Sequence, residues 1–153
     1  MYVERGKRIA FDYGEKRIGV ALADADGLVA VPLTTLQNDQ SLTEQLFELF
    51  ADYAPVIIYI GSPKNLSGAG SVSEDKARAF GKFIADEFEI PVHMIDERLS
   101  TVSASSQLKS AGKSPSRSRD IIDQIAATNI LESALQFEKK HGAYAGQPLN
   151  SNS

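Results

Sequence analysis

The stretch Arg8-Ile9-Ala10-Phe11-Asp12-Tyr13-Gly14-Glu15-Lys16-Arg17-Ile18-Gly19-Val20-Ala21-Leu22 constrains the fold of this chain more than any other. Ile9 and Phe11 alternate with neighbours of other character, the period of a strand. Gly14 supplies the backbone freedom of a tight turn. Ile18, Val20 and Leu22 then alternate again, with small Gly19 and Ala21 between them. The pattern predicts a hairpin laid against a core. One residue does not suit that setting. Asp12 ends an apolar strand, where an uncompensated carboxylate is costly to desolvate. A hydrogen bond, a cation or a metal ion must balance it.

Downstream, Asp24-Ala25-Asp26-Gly27 signals a turn, and Leu28 to Leu36 reads as a third strand, which completes an antiparallel meander. Ser41-Leu42-Thr43-Glu44 has the capping-box pattern and opens a helix with Leu42, Leu46, Leu49 and Phe50 on its apolar stripe. Pro55 closes that helix. The continuous apolar run Val56 to Ile60 fits a strand buried on both faces. A glycine-rich loop, Gly61 to Gly70, follows and could cradle a phosphate with its N–H groups. Ser71 caps a second helix to about Phe88, with Ala77, Phe80, Phe83 or Ile84, and Phe88 inward. Pro91 to Ile95 is a fifth strand. A helix from Leu99 to about Ser110, a basic loop at Gly112 to Ser116, and a last helix from Ser118 to about Lys140 complete the reading. From His141 onward Gly, Pro, Asn and Ser dominate, and disorder is expected.

The order β-β-β-α-β-α-β-α-α predicts an α/β fold. Its mixed five-stranded sheet has three antiparallel meander strands and two strands linked by helices, with helices flanking. The expected layout is one domain over residues 1–140 and a disordered tail over 141–153. A chain of 153 residues, 42% of them hydrophobic, suits one such core and leaves no room for two large domains. Cysteine is absent, which excludes disulfides, thiolate metal sites and a cysteine nucleophile and agrees with a reducing compartment. There is no apolar N-terminal stretch and no run of the roughly 20 apolar residues a membrane helix needs. A cytoplasmic protein without membrane contact is expected. The net charge of −4 excludes a generally basic nucleic-acid coat, so nucleic acid would have to meet a local basic face.

Two further acids share the peculiarity of Asp12. On a helix, Asp123 heads a stripe that continues through Ala127, Ile130 and Ala134, so it should face the sheet. Glu97 lies just past the fifth strand within Asp96-Glu97-Arg98. Taken alone, Asp123 could pair with an arginine, and Glu97 could be a solvated turn acid. Asp120, one turn before Asp123, could project beside it or serve as a first-turn helix acid. Together these acids match what hard cations such as Mg²⁺ take, namely oxygen ligands and water. Two such ions about 4 Å apart promote phosphodiester cleavage with carboxylates and no histidine or cysteine.

Four blocks carry a family resemblance. They are Asp12-Tyr13-Gly14-Glu15-Lys16-Arg17-Ile18-Gly19-Val20-Ala21, Gly61-Ser62-Pro63-Lys64-Asn65-Leu66-Ser67-Gly68, Asp96-Glu97-Arg98-Leu99-Ser100-Thr101 and Ile122-Asp123-Gln124-Ile125-Ala126-Ala127. In this order, across roughly residues 7 to 138, they resemble the YqgF family of the RNase H-like nuclease superfamily. The resemblance implies an RNase H-like fold and a nuclease that uses Mg²⁺ or Mn²⁺. Members are described as Holliday-junction resolvases and as nucleases that process the 5′ end of pre-16S ribosomal RNA. Asp12, Glu97 and Asp123 match the family's acidic positions as catalytic residues and metal ligands. Asp120 joins them by similarity to the paired helix acids of bacterial junction resolvases. The departures are Ser62 within Gly-Ser-Pro, where the family has Gly-Leu-Pro, and Ser100 in place of a threonine.

Substrate contacts are expected from a segment without acids. Arg98, Lys109, Lys113, Arg117 and Arg119 form a basic run just before and at the start of the last helix, and Lys16 and Arg17 lie in the turn after Asp12. Phosphate contacts of this kind add affinity without reading sequence. The leading expectation is an endonuclease on structured RNA, with the pre-ribosomal particle as its setting. A resolvase of branched DNA, or a ribosome-assembly factor without catalysis, are the alternatives. A monomer would serve the first, and a homodimer the paired cuts of a resolvase. An actin-like ATPase, which also uses an aspartate-x-glycine hairpin, needs two such domains and more chain than is present.

Overall fold

The computed structural model describes residues 5–27, 29–62, 72–96 and 115–149. The element order is β1 (Arg8–Tyr13), β2 (Arg17–Ala23), β3 (Ala30–Gln37), α1 (Leu42–Tyr53), β4 (Ile57–Ser62), α2 (Val72–Phe88), β5 (Val92–Asp96), α3 (Pro115–His141) and β6 (Gln147–Leu149). The strands form one mixed sheet in the order β3-β2-β1-β4-β5-β6. β1 pairs antiparallel with β2 and parallel with β4, and β4 pairs parallel with β5. Pro32 lies on the edge strand β3, where a missing N–H breaks no inner ladder, and the β2–β3 register slips at Val20/Ala21.

Period-2 alternation sends the two faces of the sheet to different partners. Ile9, Phe11, Ile18, Val20, Ile58 and Ile60 pack with Leu46 and Phe50 of α1 and Ala77, Phe80 and Ile84 of α2. At the ambiguous inward position of α2, Ile84 is buried and Phe83 is exposed. The other face is richer in alanine. Ala10, Ala21, Ala23, Ile57 and Tyr59 meet Ala127, Ile130, Leu131 and Ala134 of α3. The alanines on both partners let this long helix lie close to the sheet between the larger side chains.

Two expectations change. Ser41 does not cap α1 with its side chain. Its hydroxyl and its N–H both donate to Asp39 Oδ1, at 2.6 and 2.8 Å, so a local Asp turn replaces the capping box. The segment after His141 is not a disordered tail throughout. Gly142 and Gly146 turn the chain at positive φ, Ala145 is buried, and β6 adds antiparallel to β5. Backbone pairing to an open sheet edge orders a segment that composition alone would leave free. Among the described residues the sheet therefore has six strands where five were expected. The helix expected over Leu99 to Ser110, the loops at 63–70 and 112–114, and residues 150–153 lie outside the described residues.

Candidate active site

Asp12 faces α3. Its neighbour Ala10 belongs to the cluster under α3, whereas Phe11 belongs to the opposite one, so alternation turns Asp12 toward the helix. Its cross-strand partner is Gly19, and directly opposed residues share a face. A Cβ placed on Gly19 would lie 2.0 Å from the carbonyl oxygen of Asp123. Only a residue without a side chain allows that approach. Glycine at position 19 thus brings the backbone of α3 at Asp123 down beside the end of β1 that carries Asp12.

The start of α3 is pinned on its other side by β3. Thr35 Oγ1 donates to the Asp120 carbonyl at 3.2 Å, and Gln124 Nε2 donates to Thr35 Oγ1 at 3.0 Å. Sequence reasoning passed over both residues. A threonine on a strand and a glutamine on a helix carry no separate signal until the register places them opposite one another.

Arg17, the first residue of β2, lies on these acids. Its Nε donates to Asp123 Oδ2 at 3.0 Å and stands 3.7 Å from Asp120 Oδ1. Arg17 was expected among the phosphate contacts; here it is the counter-charge of the acidic pair. Partial burial pushes the Asp123 carboxyl above the ordinary carboxylate range. The hydrogen bond and charge of Arg17 pull it down, and neighbouring Asp120 pushes it up again. Lys16 is exposed in the turn, and Arg119 is exposed near the start of α3. Arg117 lies in α3, but its side chain is outside the described residues, as are Glu97, Arg98, Lys109 and Lys113.

β5 ends at Asp96 in register with Ser62 of β4, two strand positions from β1. Two spacings of about 4.8 Å therefore separate the strand leading to Glu97 from the strand carrying Asp12. Among the described residues, no three or more acidic or histidine side chains converge as a metal-holding group. The donor set nonetheless suits a hard divalent cation. Asp12 and Asp123 offer oxygen only, on one face at one end of the sheet, and Asp123 is partly desolvated and already bound to a positive group.

A second polar cluster lies at the far end of α3. Arg8 Nη2 donates to Glu138 Oε1 at 2.8 Å, and Tyr59 Oη donates to Glu138 Oε2 at 2.6 Å. The Ala145 N–H donates to Tyr59 Oη at 3.2 Å. Arg8 also donates to the carbonyls of Gly6 and Ala25. Burial, reinforced by the Glu138 carboxylate, pushes the Tyr59 phenol far up. The signal was available: Glu138 follows Ala134 by one turn on the same stripe that singled out Asp123.

A mixed sheet in this order, with its last helix laid across the first two strands, has the RNase H-like fold. Residues 6–137 match the family model RuvX, described as Holliday junction resolvase. The chain belongs to this family, the one the four sequence blocks resemble, and is a nuclease of the RNase H-like class. It is 39% identical over 152 residues to a protein of Clavibacter michiganensis subsp. michiganensis named "Putative pre-16S rRNA nuclease", covering 96% of this chain and 93% of that one. A Streptomyces avermitilis protein of the same name is 37% identical over 150 residues, with 96% of each chain covered. Among solved structures, RuvC of Thermus thermophilus in complex with Holliday junction substrate matches with a TM-score of 0.59 at 14% identity, over 94% of this chain and 99% of that one. That likeness shows the shared fold.

Proposed function

We propose that this protein is a divalent-metal-dependent endonuclease that trims the 5′ end of pre-16S ribosomal RNA in the cytoplasm. The observation that carries the reading is the close approach of the Asp123 turn of α3 to Gly19, the cross-strand partner of Asp12. The names of its relatives support the choice of substrate. Asp12 and Asp123 would hold Mg²⁺ or Mn²⁺, with Glu97 as a third ligand by the family pattern and Asp120 beside them. When bound, such a cation activates water and neutralises charge on the leaving oxygen. The protein's own part is positional. β1 fixes Asp12, and the contacts of Thr35 with the Asp120 carbonyl and Gln124 hold the turn that carries Asp123. Lys16, next to Arg17 in the chain, and Arg119, next to Asp120, are exposed and would meet substrate phosphates.

Resolution of a four-way DNA junction is the second reading, favoured by the description of the matching family. Both are tested by incubating wild type and Asp12→Asn with a labelled 16S precursor 5′ leader and a labelled four-way junction, in Mg²⁺ and in Mn²⁺. Cleavage of the leader, reduced at least a hundredfold in the variant, is the expected result. Paired cuts in the junction alone would replace the first reading with the second. Binding of either substrate by the wild type without cleavage would reject catalysis and leave an assembly factor.

A further inference from the structure

The acids assigned to the cation are not idle in its absence, because Arg17 is already on them. Its Nε reaches Asp123 at 3.0 Å and Asp120 at 3.7 Å. Both printed contacts run through Nε, the one N–H outside the pair of terminal Nη groups. The three side chains are 26%, 20% and 52% exposed for Arg17, Asp123 and Asp120, so the pair is reachable from solvent. The backbone of Arg17 cannot follow a departing side chain. It is held in register with Gln37 of β3 and by the Gly14 turn, where even a Cβ would lie 2.5 Å from the Arg17 carbonyl oxygen. Only the side chain is free to move.

A divalent cation on Asp123 and a guanidinium on the same carboxylate would stand a few ångströms apart in a partly desolvated place. Their repulsion is not well screened there. We infer that Arg17 is an exchangeable counter-ion: it neutralises Asp123 and Asp120 in the metal-free protein, leaves them when the cation binds, and then offers its fork to a substrate phosphate. Arginine suits both positions, since its planar donors match carboxylate and phosphate equally. The exchange makes Arg17 a positioning residue that couples metal loading to phosphate binding. It rests on the cation site proposed above.

Two measurements test it without reading cleavage. Mn²⁺ is titrated calorimetrically into wild type, Arg17→Lys and Arg17→Gln. The Nε–H resonance of Arg17, identified by its loss in Arg17→Gln, is followed by NMR as Mg²⁺ is added to the wild type. Removal of the competing charge should tighten Mn²⁺ binding about three- to tenfold in Arg17→Gln and less in Arg17→Lys. The Arg17 resonance should shift as Mg²⁺ saturates the site, to a position with faster solvent exchange. Equal Mn²⁺ affinity in wild type and Arg17→Gln, or an Arg17 signal unmoved at saturating Mg²⁺, overturns the exchange while leaving the cation site standing. Absence of binding by both proteins overturns the cation site and the exchange with it.

Discussion

The last helix meets the sheet with an arginine–carboxylate contact near each end, and the two are built to opposite specifications. Near the C-terminal end, Arg8 and Glu138 are 4% and 7% exposed, and among the described residues Arg8 and Tyr59 donate to the carboxylate. Near the N-terminal end, Arg17 meets two acids through a single nitrogen, and all three side chains touch solvent. The first cluster satisfies its charges and closes over them. The second keeps one acid partly desolvated and brings two like charges together. A closed ion pair fixes a helix on a sheet; an open one with surplus negative charge can give up its partner to another cation.

The largest expected effect should fall on the closed end. Glu138→Ala leaves the buried Arg8 without its counter-charge and Tyr59 without its acceptor. The expected loss is about 3–5 kcal/mol in urea unfolding, because removing one member of a buried pair strands the other. A loss under about 1 kcal/mol would mean that the two ends are energetically alike.

Gly19→Ala should come next. The added methyl would overlap the Asp123 carbonyl, so α3 must shift away from β2, at a cost of about 1–3 kcal/mol. The shift also moves Asp123 away from Asp12, so Mn²⁺ binding should weaken along with stability. Wild-type Mn²⁺ affinity in a destabilised variant would show that the close approach serves packing alone.

The smallest effect tests the open end through pH. The Asp123 carboxyl titrates above its unfolded value of 3.8, so the folded protein holds its proton more tightly. That contribution is full below the unfolded value and is lost as pH rises through the folded one. Against Asp123→Asn, which does not titrate, wild type should therefore lose ground as pH rises above the unfolded value, by roughly 1–3 °C in Tm. If wild type gains ground over that range, the Arg17 pair outweighs burial, and the open end behaves as a weaker copy of the closed one.

Asp12 and Asp123 were legible because each interrupts an apolar pattern whose period is set by its own element. The same logic applied to Glu138 would have found the buried cluster, since it sits on the Asp123 stripe beyond Ala134. Arg17 could not be placed that way. A cation in a hairpin turn looks the same whether it faces solvent or a helix more than a hundred residues later. β6 was invisible for a related reason. Its three residues, Gln147 to Leu149, become a strand only because β5 offers an unpaired edge.

The chain's own pattern determined the hairpin, the double-sided core and the two acids that must be compensated, because local periodicity decides which side chains are buried. Which cation compensates Asp123, and how near the helix comes to β1, only the tertiary structure decided. Those outcomes depend on register between distant elements, and a difference of one atom at Gly19 sets the distance.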